Sequence, residues 1–285
     1  MNMRKIKYNK LFKMYPMQLG RRNFLQLFGA TSIFSVPFFR NLTKYLINND
    51  PMLTDHVDRE TPTHWPDDVI HTIYTEKPYF GLTIDDGWFP DTFVEMLDIL
   101  KRKKYRANFF LVGAAAIHCE KAYPGILERL VNEGHSIGYH TMRHYALELS
   151  TYSSSDYSKD YDEWTELFRY YLGNDLANKA LKPYARAPFG SFSDEFLKFC
   201  RNRSLVPYAW ARDPSEINRD RLIRKGHIFL LHIRPSDLQY LDEFDKYTAE
   251  PLHPVKIECM LRNEDCPDIT PTSEDNKLFG RHIPY

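Results

Sequence analysis

The sequence has no charge surplus. Its 285 residues carry 38 basic and 38 acidic side chains, a net charge of zero. That balance leaves no electrostatic footprint for general nucleic-acid binding. Cysteine is scarce: the four copies, Cys119, Cys200, Cys259 and Cys266, show neither CxxC pairing nor zinc-finger spacing. Cys259 and Cys266 are near enough in sequence for a disulfide in an oxidising compartment, with packing as free thiols the alternative. Internal repeats are lacking too, and the apolar run ending near Phe39 is too short to span a bilayer comfortably.

What is present begins at the N-terminus. Arg21 and Arg22 lead into Asn23-Phe24-Leu25-Gln26 and that short apolar run, a pattern resembling a twin-arginine export signal. Gly20 stands where Ser or Thr is usual, and no clean small-x-small cleavage site follows. The expectation is a leader over 1–40, an exported, periplasmic or cell-envelope protein, and membrane contact only through this segment. Residues 41–78, dotted with Pro51, Pro62, Pro66 and Pro78, read as an irregular linker and cover rather than a core element. Tyr and Phe number 19 each; such side chains suit either a packed core or a sugar-binding face, with the core favoured.

From Tyr79 onward short apolar runs alternate with amphipathic stretches. YFGLTI precedes DTFVEMLDILKRK; ANFFLV precedes YPGILERLVNEG; HSIGY precedes YDEWTELFRYYLG. KPYARA, LVPYAWAR and HIFLLH follow as strands, with SDEFLKFCRNR and INRDRLIRKG between them as helices. In the first helix Phe93, Leu97 and Leu100 fall on one face. About six such units predict an α/β fold with a parallel sheet, either a barrel or a doubly wound sheet. The domain is expected over 79–245, with 246–285 left as an unassigned tail.

In such folds the chemistry sits at the carboxyl ends of the strands. The predicted strands end at Asp85-Asp86, Gly113, His140, Arg186, Arg212-Asp213 and His232, so five of six exits are ionisable. His140 and His144, four residues apart, are expected on one helical face, close enough to chelate a cation. With a strand-end carboxylate they make a two-His, one-carboxylate set with positions open for water and substrate.

LTIDDG (82–87), ANFFLVG (107–113), GHSIGYHTMRH (134–144), ARAPFG (185–190) and GHIFLLH (226–232) together resemble the NodB-homology polysaccharide deacetylases, metal-dependent carbohydrate esterases. The resemblance covers about residues 79–235 and implies a distorted (β/α)7 barrel. It implies that Asp86, His140 and His144 hold a divalent metal, zinc foremost, with cobalt, nickel or manganese as alternatives. Asp85 would be the general base on a metal-activated water, ionised and oriented by Arg186, and His232 the general acid. The backbone N–H near Phe189 would help stabilise the oxyanion. Trp88, after the Asp-Asp-Gly, is a candidate to stack on a sugar or simply to cap the rim.

One segment departs from the family pattern. Where Asp-x-x-Asp-Trp is usual, this chain has Asp213-Pro-Ser-Glu216-Ile217, so Asp213 and Glu216 are the expected tuning acids for His232. The resemblance implies a deacetylase acting on an acetylated glycan. The alternatives are a deformylase or small-amide hydrolase with the same site, or a silent glycan-binding barrel.

Overall fold

A computed structural model describes residues 65–145, 151–217 and 222–263, so the expected leader at 1–40 lies outside the described residues. Seven strands form one sheet: β1 (Tyr79–Asp86), β2 (Asn108–Leu111), β3 (Ser136–Tyr139), β4 (Leu181–Ala185), β5 (Val206–Pro207), β6 (Ile228–His232) and β7 (His253–Val255). Their order is β5-β4-β3-β2-β1-β6, with β7 against the start of β1, and every pairing is parallel. The connections run through α1 (Pro90–Lys103), α2 (Gly113–Ala122), α3 (Ile126–Asn132), α4 (Ser154–Ala180), α5 (Asp194–Asn202) and α6 (Leu238–Asp242). A last helix, α7 (Ile257–Arg262), follows β7.

The reasons for these elements are local. In β1, Gly81, Thr83 and Asp85 on one face are buried and Phe80, Leu82 and Ile84 on the other are fully buried, as is usual for a parallel strand covered on both faces. Each such apolar side chain contributes about 1.5–3 kcal/mol by leaving water. α1 opens on Pro90 and Asp91, closes on Lys101-Arg102-Lys103, and buries Phe93, Met96, Leu97 and Leu100. α4 opens with a capping box between Ser153 and Asp156 and is broken at Gly173, whose φ of 72° lies outside helical space. The aromatic residues serve the core: Tyr139, Tyr184, Tyr208 and Phe110 are among the fully buried side chains.

The sheet curls because its two edges share a partner. The Ile70 N–H donates to the Pro207 carbonyl at 3.0 Å, and the Ala209 N–H to the Ile70 carbonyl at 2.8 Å. On the other side, the Ile228 N–H donates to the His71 carbonyl at 3.2 Å and the Ile73 N–H to the Gly226 carbonyl at 2.8 Å. Past β5, the Leu230 N–H reaches the Arg212 carbonyl at 2.9 Å. The result is the distorted, curled barrel that the motif resemblance implied.

Four expectations change. Residues 65–73 are no mere cover: Trp65, Val69 and Ile73 join the core cluster around Tyr184, Tyr208 and Trp210, and the segment bridges the sheet edges. The reading missed them because Pro66 and the acidic pair after it mask three widely spaced apolar side chains. Residues 253–262, read as tail, supply β7 and α7, and bury Val255, Ile257, Cys259 and Met260. Cys259 is disulfide-bonded, while Cys119 and Cys200 are free. The helix expected from INRDRLIRKG is not formed over its described residues 222–226, where Ile223 instead bridges to Thr248. Finally α2 (GAAAIHCEKA) went unread, its small residues giving no amphipathic stripe. Among the described residues no helix is long and apolar enough to cross a membrane.

Candidate active site

The opening at the carboxyl ends of β1, β3, β4 and β6 gathers Asp85, Asp86, His140, Arg186 and His232, with His144 following β3. Asp85 stays on the strand and is buried, whereas Asp86 turns away with a φ of 76°, followed by Gly87 at 116°. That left-handed step, costly for a residue with a Cβ, lets adjacent carboxylates face different partners. It is not alone. Thr141, His144 and Phe189 also have positive φ, at 64°, 61° and 58°. Four non-glycine residues in left-handed backbone therefore surround one opening.

His140 and His144 do not lie on a helix, correcting the expected helical face. The segment after β3 is an irregular turn, in which the His144 N–H donates to Thr141 Oγ1 at 3.1 Å. The first N–H groups of α2, at Gly113 and Ala114, donate to the Thr141 and Met142 carbonyls at 3.0 and 2.9 Å. The turn still brings the two rings together, with centroids 4.9 Å apart.

The ligand-capable atoms of Asp86, His140 and His144 all lie within 4.8 Å of one another. Asp86 Oδ1 is 3.5 Å from Nε2 of each histidine, yet it is buried and receives no hydrogen bond. Two donors at ~2.1 Å from a tetrahedral ion stand roughly 3.4 Å apart, so the orphaned oxygen and both nitrogens fit a single cation. His140 Nδ1 lies 2.9 Å from the Arg186 carbonyl; a carbonyl only accepts, so Nδ1 carries the proton and Nε2 presents its lone pair. Burial pushes the His144 imidazole down to about 3, keeping it in the neutral, ligating form. Burial pushes the Asp86 carboxyl up, but His144 and His140 beside it hold it well below the usual range.

Arg186 is wholly buried and donates four hydrogen bonds from its guanidinium. Nη1 donates to Asp85 Oδ1 at 2.7 Å and Thr83 Oγ1 at 2.9 Å; Nε and Nη2 donate to the Tyr208 and Ala209 carbonyls at 3.0 and 2.9 Å. Its plane lies over the Phe110 ring, 4.2 Å from the centroid. Asp85 Oδ2 remains on the side of the histidines, 3.6 Å from His140 Nε2. His232 stands directly beside Asp85 in the β1–β6 register. Burial alone would lower its pKa, but Asp237 and the charges of Asp86 and Asp85 raise it above the ordinary value.

The two expected tuning acids, Asp213 and Glu216, lie in the exit segment after β5. Asp213 accepts from Trp210 Nε1 at 3.0 Å and from the Ser215 N–H at 2.8 Å. The carboxylate beside His232 Nδ1, at 3.7 Å, is Asp237. Phe189 places its ring 4.3 Å from that of His144, and Trp88 is half-buried after the Gly87 turn. Asp160 was also missed, because it lies mid-helix in α4 with no motif. It accepts from Tyr139 Oη at 2.6 Å and the Met142 N–H at 2.9 Å, so it braces both sides of His140.

Burial pushes the Asp160 carboxyl up to about 7. The folded state therefore favours its protonated form, a stabilisation present below the unfolded value and lost as pH rises through about 7. Asp160→Asn removes this dependence. The melting temperature of the variant, relative to the wild type, is expected to climb between pH 4 and 7; a difference flat in pH would contradict it.

The chain is similar to proteins of one family. The polysaccharide deacetylase family profile matches residues 72–205. A chitooligosaccharide deacetylase from Sinorhizobium fredii is 32% identical over 168 residues, 55% of this chain and 73% of that protein. The chain belongs to the polysaccharide deacetylase family. As a member it is a hydrolase of carbon–nitrogen bonds other than peptide bonds. A peptidoglycan-N-acetylglucosamine deacetylase from Bacillus cereus is 31% identical over 48% of this chain and 46% of its own length. Among solved structures, a family 4 carbohydrate esterase from Bacillus anthracis superposes with a TM-score of 0.55. It is 26% identical and covers 68% of this chain and 87% of that one.

Proposed function

We propose that the protein removes N-acetyl groups from a glycan, such as peptidoglycan, a chitin-like polymer or a surface polysaccharide. The observation that carries this is the buried, unpartnered Asp86 Oδ1 set between two histidine Nε2 atoms, beside an aspartate and a histidine that need no metal bond of their own. A divalent cation held by Asp86, His140 and His144, zinc first and cobalt, nickel or manganese next, supplies Lewis acidity toward water and the acyl carbonyl. Asp85 then takes a proton from the attacking water through Oδ2, since Arg186 occupies Oδ1. His232, one strand away, gives a proton to the departing amine. The backbone at Phe189 faces the oxyanion, and Trp88 stacks on a sugar ring at the rim. The leader at 1–40 would deliver the enzyme to the envelope, where such glycans lie.

Acetate release from N-acetylglucosamine oligomers and from peptidoglycan, with Zn²⁺ or Co²⁺ supplied, tests the reading. Release of formate instead, from a formylated amino sugar, would move the substrate and leave the site intact. His140→Ala is expected to abolish stoichiometric zinc binding by the purified protein, read by calorimetry without any substrate. Zinc held at wild-type affinity by that variant would refute the ligand set.

A further inference from the structure

The carboxylate that serves His232 comes from an unexpected place. Asp237 lies five residues beyond the histidine, in the single turn that ends β6, and is nearly inaccessible to solvent. Its Oδ2 accepts the His232 backbone N–H at 2.8 Å and lies 3.7 Å from His232 Nδ1. Its Oδ1 accepts from Arg234 Nε at 2.6 Å and from Ser236 Oγ at 2.9 Å. Both oxygens of the carboxylate are thus engaged within the stretch His232-Ile-Arg-Pro-Ser-Asp237, and His232 Nδ1 beside it is buried without a hydrogen bond. Asp213, one of the two fifth-strand carboxylates expected in this role beside Glu216, accepts from Trp210 Nε1 and Ser215 Oγ.

We propose that Asp237 is the positioning residue of this enzyme's acid histidine: it holds His232 Nδ1 protonated and turns Nε2 toward the leaving nitrogen. His232, Arg234 and Asp237 then form a self-contained unit on one loop. At 3.7 Å the Nδ1 contact is longer than a hydrogen bond; such contacts commonly tighten only with substrate bound. The carboxylate is also kept anionic, since Arg234 and His232 outweigh the effect of burial and hold its pKa below the usual range.

The proposal rests on the reading of His232 as the acid, and the test separates the two. An amide leaving group needs a proton, whereas 4-nitrophenolate leaves without one. In the metal-loaded enzyme, Asp237→Asn is expected to lower kcat on N-acetylglucosamine oligomers by about 10–100-fold, with KM unchanged and 4-nitrophenyl acetate hydrolysis at the wild-type rate. Asp237→Glu is expected to recover part of the amide rate. Parallel loss on amide and ester would mark a structural role and overturn the proposal, as would the same selective loss in Asp213→Asn but not in Asp237→Asn. Imidazole ¹⁵N shifts of the unaltered protein provide a check that needs no variant. A protonated Nδ1 on His232 supports the proposal, and a bare Nδ1 refutes it. Full amide turnover in His232→Ala would instead remove the acid assignment itself.

Discussion

Asp85→Asn is expected to retain its metal and lose about 10²–10⁴-fold in turnover. The substitution is nearly isosteric, and its amide oxygen can still accept from Arg186 Nη1, which now donates to Asp85 at 2.7 Å. The cation site lies on Asp86, His140 and His144 and is untouched. What disappears is the group able to take up a proton beside the histidines. Zinc content by elemental analysis together with acetate release separates the two properties. Loss of both would mean that Asp85 belongs to the ligand set, and retention of both would mean that the base lies elsewhere. Because the variant leaves Arg186 facing a neutral amide in a buried site, the assay belongs below the variant's own melting transition.

Arg186→Met should produce the largest loss of stability of any single change at the site. Methionine fills the volume over Phe110, but it leaves the Asp85 carboxylate, the Thr83 hydroxyl and the Tyr208 and Ala209 carbonyls without their donor. Breaking a buried ion pair by removing one partner costs about 3–5 kcal/mol, a fall of roughly 6–20 °C in the melting temperature of a domain this size. Differential scanning calorimetry checks it; a shift of only a degree or two would show that the guanidinium is solvated and its partners satisfied otherwise.

These two residues were legible in the sequence for a physical reason. Strand-end motifs are contiguous, so TIDDG and RAPFG carry their chemistry and their geometry in five letters. Asp160 was not legible, since it acts across space on residues whose own motif names no partner; Asp237, only five residues past His232, lies just beyond the strand-end motif GHIFLLH. The His140–His144 spacing was read correctly as a pair and wrongly as a helix. Four-residue separation fits both a helical face and a turn closed by Thr141, and only the positive φ values at Thr141 and His144 separate the two. The same limit applies to residues 65–73, whose apolar side chains are too sparse to show a period. They earn their place only by filling gaps that the other strands leave.

The sheet's topology bears on how the chain reaches this state. β1 is the first strand to be synthesised but lies inside the sheet, with β2 on one flank and β6, from the far end of the domain, on the other. Until Ile228–His232 and His253–Val255 emerge, one hydrogen-bonding edge of a largely apolar, buried strand has nothing to pair with. Closing it requires loops spanning most of the domain, so folding should be slow, in the millisecond-to-second range typical of high contact order. During that interval the exposed β1 edge is the chain's main opportunity to aggregate.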